Sequence, residues 1–255
     1  FFWLSLVLVS TSLIFLRSVK DQKIFLLALY FTSVFLGFWL WLRFGVRFIS
    51  PDILSEIATA EVVGKSGWTS ELIAKNRFGD SLSVTILPTM ISRLLNLDLL
   101  PVFLFIFPIV LALTPILLYM VFNETFGFEV ASLSCLIYLF DYVALTMNPI
   151  LIRDSFGKFF FCCALLCLIR STRQKSKRYV IPFMILLFAT TSAAHTSSYF
   201  LMGFVLSLFF LPHKFLKRLP IFGHNIQRDA IVSSSLLLGT IVLIFTWMSF
   251  VGYLV

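Results

Sequence analysis

Charge is what this chain has least of. Only 13% of its 255 residues are Asp, Glu, Lys or Arg, while 60% are hydrophobic and the mean hydropathy is +1.01. A water-soluble domain carries roughly 25% charged residues, so a soluble globular class is excluded. The four cysteines, Cys135, Cys162, Cys163 and Cys167, all fall inside apolar runs. They are read as packing or lipid-facing thiols, neither a disulfide frame nor a metal site. The opening has no basic stretch followed by a short apolar core and a small-residue cleavage site, so the first apolar run is not a removable signal peptide. Internal repeats and low-complexity linkers are missing as well. So are the fingerprints of phosphate loops, dinucleotide folds, zinc sites and nucleophile elbows, which removes the familiar soluble-enzyme chemistries.

What is present is a succession of apolar runs long enough, or nearly so, to cross a hydrocarbon core of roughly 30 Å. They are Phe2 to Leu16, Ile24 to Leu42, Leu100 to Phe122, Val130 to Met147, Ser155 to Ile169, Val180 to Ala194, Ser198 to Leu211 and Ala230 to Val255. The expected fold is all-α: a polytopic helical membrane protein with about eight transmembrane helices. The chain begins Phe1-Phe2 without Met and stops inside an apolar run. Residues 1–255 are therefore read as a single transmembrane domain, a fragment of a longer protein.

The formal net charge of +8 would suggest nucleic acid in a soluble protein, but here the cations cluster in short loops between apolar runs. No nucleic-acid partner is expected. Arg17 to Lys23 carries three basic residues, Arg170 to Arg178 five, and His213 to Asp229 four Lys or Arg. With eight spans these loops fall on one side, which the positive-inside rule makes cytoplasmic in a multi-pass cell-membrane protein. A ninth span over Ser81 to Leu97 would break that agreement. Asp80 to Asn96 is read instead as a surface or shallowly dipping helix.

Ser50 to Leu100 then forms a large external first loop, with two juxtamembrane helices. It is the longest polar stretch and holds half of the carboxylates. Ser50-Pro51-Asp52 starts a helix, with Ser50 as N-cap, Pro51 at the first helical position and Asp52 within reach of the dipole. Asp52 and Glu56, four apart, share one helix face. Ile53, Leu54, Ile57, Ala60 and Val63 lie mostly opposite. The expectation is an amphipathic helix lying on the membrane, with two acids in the water layer above it.

The same external side collects Asn148, Arg153 and Asp154, with Lys158 one turn on, and His195, Thr196 and Ser197 in a tight turn with Tyr199 just beyond it. Asp141 falls in the outer half of the fourth run, where an ionisable residue is costly and points to function. These are parts for moving a sugar from a lipid phosphate. Asp52 or Glu56 can act as general base on an acceptor hydroxyl. Arg153, suited to bidentate contact, and Lys158, a point charge, can hold the departing phosphate, with His195 beside them. Alternatively Asp52 and Glu56 bind a divalent cation, Mg or Mn, through oxygen ligands. Asp141, Asp154 and Tyr199 extend the set.

The order of these elements resembles the GT-C class of integral-membrane glycosyltransferases. It comprises a span, an external loop opening with an acid pair, a helix ending near Gly64-Lys65-Ser66-Gly67-Trp68, a second helix containing Pro88, and then a series of spans. The run Gly79-Asp80-Ser81-Leu82-Ser83-Val84-Thr85-Ile86-Leu87-Pro88 and the later Ala194-His195-Thr196-Ser197-Ser198-Tyr199 are similar to segments of an archaeal family of large membrane proteins of that kind. The resemblance covers roughly Ile24 to Leu211. It implies a polyprenyl- or dolichyl-phosphate-linked sugar donor and an acceptor glycan, protein or lipid. It also implies catalysis on the extracytoplasmic face, with Asp52, partnered by Glu56, as base or metal ligand. Better-known branches open the second external helix with a basic residue and two prolines, where this chain has Gly79-Asp80-Ser81.

Each assignment has a plainer counterpart. Asp52 also complements a helix dipole, Arg153 and Lys158 also serve as snorkelling anchors, Asp154 also pairs with Lys158 or starts a helix, and His195 also caps its neighbours. Two other functions compete with sugar transfer. A secondary transporter would use Asp141 as a coupling acid and break the third run at Pro108 and Pro115. A non-catalytic scaffold would sit among the subunits of a membrane complex.

Overall fold

The computed structural model describes residues 22–44, 51–69, 81–140, 152–174 and 177–193, together with the isolated positions Tyr199, Met202, Gly203, Leu206 and Val242. Within these residues every regular element is a helix. The elements are α1 (Gln22–Phe44), α2 (Pro51–Ser66), α3 (Ile86–Leu95), α4 (Leu99–Phe126), α5 (Phe128–Phe140), α6 (Ile152–Gln174) and α7 (Val180–Ala193). A single 3-10 turn, Lys177–Tyr179, joins the last two. The expected runs Phe2 to Leu16, Ser198 to Leu211 and Ala230 to Val255 lie outside the described residues, save for those isolated positions.

At 28 residues, α4 is long and apolar enough to cross a bilayer, and Gln22–Phe38, Phe128–Leu139 and Val180–Ala193 are shorter apolar helices. Two prolines shape α4. Each lacks an N–H and clashes with the carbonyl four residues back. Before Pro108 the helix widens into a π-helical segment, Val102–Ile106, closed by the Phe107 N–H on the Val102 carbonyl. Before Pro115 it loosens at Ala112 and Leu113, where the Leu113 N–H donates to the Val110 carbonyl at 3.1 Å. Gly127, at φ +85, then turns the chain into α5, a backbone conformation that needs glycine.

Ring contacts and hydrogen bonds fix the directions of packing. Phe25 meets Tyr119 with ring centroids 5.6 Å apart, and Phe38 meets Phe105 at 5.9 Å, so α1 and α4 run antiparallel. Phe107 packs on Phe156 at 4.7 Å while Arg170 pairs with Glu124 at 2.8 Å, so α4 and α6 run parallel. The thiol of Cys135 in α5 donates to the Pro115 carbonyl at 3.2 Å, on a helix returning against α4. One end of the bundle thus gathers α2, α3, the starts of α4 and α6 and the end of α7. The other gathers the start of α1, the end of α4, the start of α5 and the Arg170 end of α6.

The outer faces are as apolar as the inner ones. On α1, Ile24, Leu27, Phe31 and Phe35 form an exposed stripe, and on α7 Ile181, Ile185 and Phe188 form another. A helix apolar all round is a core helix or a membrane span.

Candidate active site

The candidate site lies at the end that carries α2. The helix begins at Pro51, and its packed arc consists of Ile53, Glu56, Ile57, Thr59, Ala60 and Val63, all buried. Leu54, Glu61 and Val62 are exposed. This corrects the expected orientation. Glu56 has 0% of its surface exposed, so it is not held in a water layer above the helix but lies near the middle of the face that packs inward. The apolar residues of α2 cover more than half of its circumference. Helical spacing alone therefore left open which part of that arc would meet the bundle.

Ile53, Ile57 and Ala60 share one apolar cluster with Val84, with Val102, Phe103 and Phe107 of α4, with Ile152 and Phe156 of α6, and with Ala193 of α7. The first two turns of α6, which bear Arg153, Asp154 and Lys158, are thus anchored through Ile152 and Phe156 in the same core as the helix that bears Glu56. Arg153, Asp154 and Lys158 are all half-buried. The Arg153 Nε sits 3.8 Å from the Asp154 carboxylate, so Asp154 is matched at least in part by its own neighbour. Ser155 and Gly157 are buried beside them.

A layer of hydroxyls closes this end. The Ser81 hydroxyl donates to the Ala193 carbonyl at 2.8 Å, and the Leu82 N–H donates to the Ser192 carbonyl at 3.0 Å, tying the turn before α3 to the end of α7. Ser83 lies 3.1 Å from Ser81. Thr85 and Thr89 donate to the carbonyls four residues back, both at 2.7 Å, and Thr89 also reaches the Ala60 carbonyl of α2 at 3.2 Å. The Arg93 guanidinium donates to the Gly64 carbonyl at 2.6 Å, a cap across the two helices. Ser81, Thr85 and Thr89 recur every four residues, a spacing that could have flagged the packed face of α3. The Thr190-Thr191-Ser192 run, likewise buried, was visible as a polar break at the end of an apolar run.

No family model, curated protein or solved structure matches this chain. The site is therefore read from its own chemistry. The side chain of Asp52, the acid one turn before Glu56, lies outside the described residues, as do Asp141 and His195. Tyr199 is described and exposed. Of the two expected ligands for Mg or Mn, only Glu56 is therefore described. Among the described residues no group of three or more His, Cys, Asp or Glu side chains is placed to hold a metal ion. The Glu124–Arg170 pair, which sequence reasoning passed over, lies at the opposite end and belongs to packing rather than to this cluster.

Proposed function

We propose that this chain is a membrane-embedded glycosyltransferase of the GT-C type. It moves a sugar from a polyprenyl- or dolichyl-phosphate donor to an acceptor glycan, protein or lipid on the extracytoplasmic face. The observation that carries the reading is the burial of Glu56 on a helix packed into the same core as the start of α6, whose first two turns bear Arg153 and Lys158. Removing a carboxylate from water is expensive, and proteins keep such groups where chemistry needs them. The apolar outer faces of α1 and α7 support the membrane setting.

In this reading Asp52 takes the proton of the acceptor hydroxyl, and Glu56, one turn on, sets the charge around it. Glu56 acts directly only if the face of α2 that now packs inward opens to substrate. Arg153 and Lys158 neutralise the phosphate as the sugar leaves, a contribution concentrated where charge develops. His195 joins the phosphate side, and Asp141, Asp154 and Tyr199 shape the surroundings. A divalent cation at Asp52 and Glu56 would supply further neutralisation of the phosphate charge.

The test is transfer from radiolabelled polyprenyl-phosphate sugars by the protein in liposomes. Asp52→Asn and Arg153→Ala should each lower transfer by about a hundredfold or more, and EDTA should do so only if the cation is used. Transfer undiminished in both variants would overturn the proposal. The interruption of α4 at Pro108 and Pro115 favours a second reading, a transporter with a broken helix. Solute uptake by the same liposomes without any sugar transfer would select it.

A further inference from the structure

α3 is built inside out relative to a soluble surface helix. Pro88 and Thr89 face inward, with Thr85 in the turn before them, while Met90, Leu94 and Leu95 face outward and Leu94 is 79% exposed. The one cation of the helix, Arg93, is bonded to the Gly64 carbonyl at 2.6 Å. Asn96, in the left-handed conformation at φ 51, ends the helix, and three residues later α4 begins. The apolar line does not stop at that bend. Exposed Leu97 and Leu100 carry it from α3 onto α4, where Phe105, Ile109 and Leu113 continue it along the bilayer-crossing helix. Ten residues of α-helix measure about 15 Å, half of a hydrocarbon core, so α3 is too short to span.

We propose that the outward face of α3 is immersed among the acyl chains of the leaflet on its side, as a dipping element continuous with the lipid-facing line of α4. The occupant is bilayer lipid, selected by continuity with that line, and Arg93, exposed in the last turn, is tied to the Gly64 carbonyl of α2. The sequence left open whether this helix lies on the surface or dips. The structure assigns the immersed alternative because Met90, Leu94 and Leu95 face outward while Thr85 and Thr89 pack inward, and the exposed polar residues Arg93, Asn96 and Asp98 are confined to the last turn of the helix and the bend. The proposal rests on the membrane setting argued above, and the experiment separates the two.

Leu94→Cys, Asp98→Cys and Phe31→Cys, each in the membrane-embedded chain, carry a nitroxide and are exposed in turn to oxygen, which concentrates in hydrocarbon, and to a water-soluble nickel chelate. The unsubstituted chain treated alike supplies the background from its own four cysteines. The expected result is oxygen broadening with loss of nickel broadening at Leu94 and Phe31, and the reverse at Asp98, which is exposed beside the bend. Nickel broadening at Leu94 with oxygen broadening at Phe31 overturns the immersion of α3 and leaves the membrane setting intact. Nickel broadening at both overturns the setting. Neither reagent acting at Leu94 means that another segment of protein covers it, which also overturns the proposal. Should the labelled chain not assemble, Leu94→Trp in lipids brominated on their acyl chains reads the same depth, with added quenching expected and its absence overturning the proposal.

Discussion

A single carboxylate sets the energetic problem of this fold. Glu56 occupies a position whose helical neighbours Ile53, Ile57 and Ala60 are all buried among apolar side chains. Even well satisfied, a buried charge costs several kcal/mol of desolvation, and an apolar side chain of similar volume packs there at no such cost. A carboxylate kept for chemistry should therefore be a burden on stability. Glu56 is engaged, however, and removing one member of a buried pair strands the other, so Glu56→Met should lower the stability of the purified protein in thermal unfolding by about 3 kcal/mol or more, besides lowering transfer. Stability unchanged or raised by about 1 to 2 kcal/mol would instead identify Glu56 as a carboxylate kept at a net cost to the fold. The i,i+4 rule placed Asp52 and Glu56 on one face of a helix starting at Pro51, and that helix is there. Which face turned inward was not legible. It was decided by partners distant in sequence, Val84, Ile152, Phe156 and Ala193.

Among the helices, α4 shows how far local rules reach. Pro108 and Pro115 announced a break, and both interruptions lie directly before them. That the first would take π form follows from packing. The wider segment lets Val102 and Phe103 both be buried while Phe105 faces out. Phe107 sits at the crossing of α4 and α6, with rings of Phe103 and Phe156 at 5.1 and 4.7 Å. Truncating a ring so enclosed leaves a cavity, so Phe107→Ala should cost about 3 to 5 kcal/mol. Phe105→Ala, on the more exposed side of the same helix with the Phe38 ring of α1 at 5.9 Å, should cost less, about 1 to 2 kcal/mol. Thermal unfolding of both variants in lipid checks the contrast. Equal losses would mean that α4 buries its outer side too, and that its exposed line is not a lipid face. The five expected runs that fall on described residues, those beginning at Ile24, Leu100, Val130, Ser155 and Val180, were legible as helices because apolar stretches of this length have few alternatives. The π segment was not, because nothing local distinguishes it from an ordinary turn before proline.

At the scale of the molecule, the directions of α1, α4, α5, α6 and α7 put the expected basic loop after α6 at one end and the acid-bearing helix α2 at the other. Arg170 is engaged there by Glu124, whereas Arg178, exposed and stacked over Tyr179 with its guanidinium carbon 4.8 Å from the ring centroid, remains at the surface. Lys65, in the last turn of α2, is exposed at the opposite end. Membrane insertion retains clusters of Lys and Arg on the cytoplasmic side. With the five basic residues of Arg170 to Arg178 held inside, a chain of alternately running helices carries Lys65, Glu56 and the start of α6 outside. A charged, membrane-impermeant thiol reagent added to intact cells should then modify Lys65→Cys and leave Arg178→Cys untouched until the cells are opened. If both react from outside, the two ends are not separated by a bilayer, and the site around Glu56 loses the extracytoplasmic placement proposed for it. If Arg178→Cys alone reacts, the orientation is inverted and the donor would have to be presented from the cytoplasm.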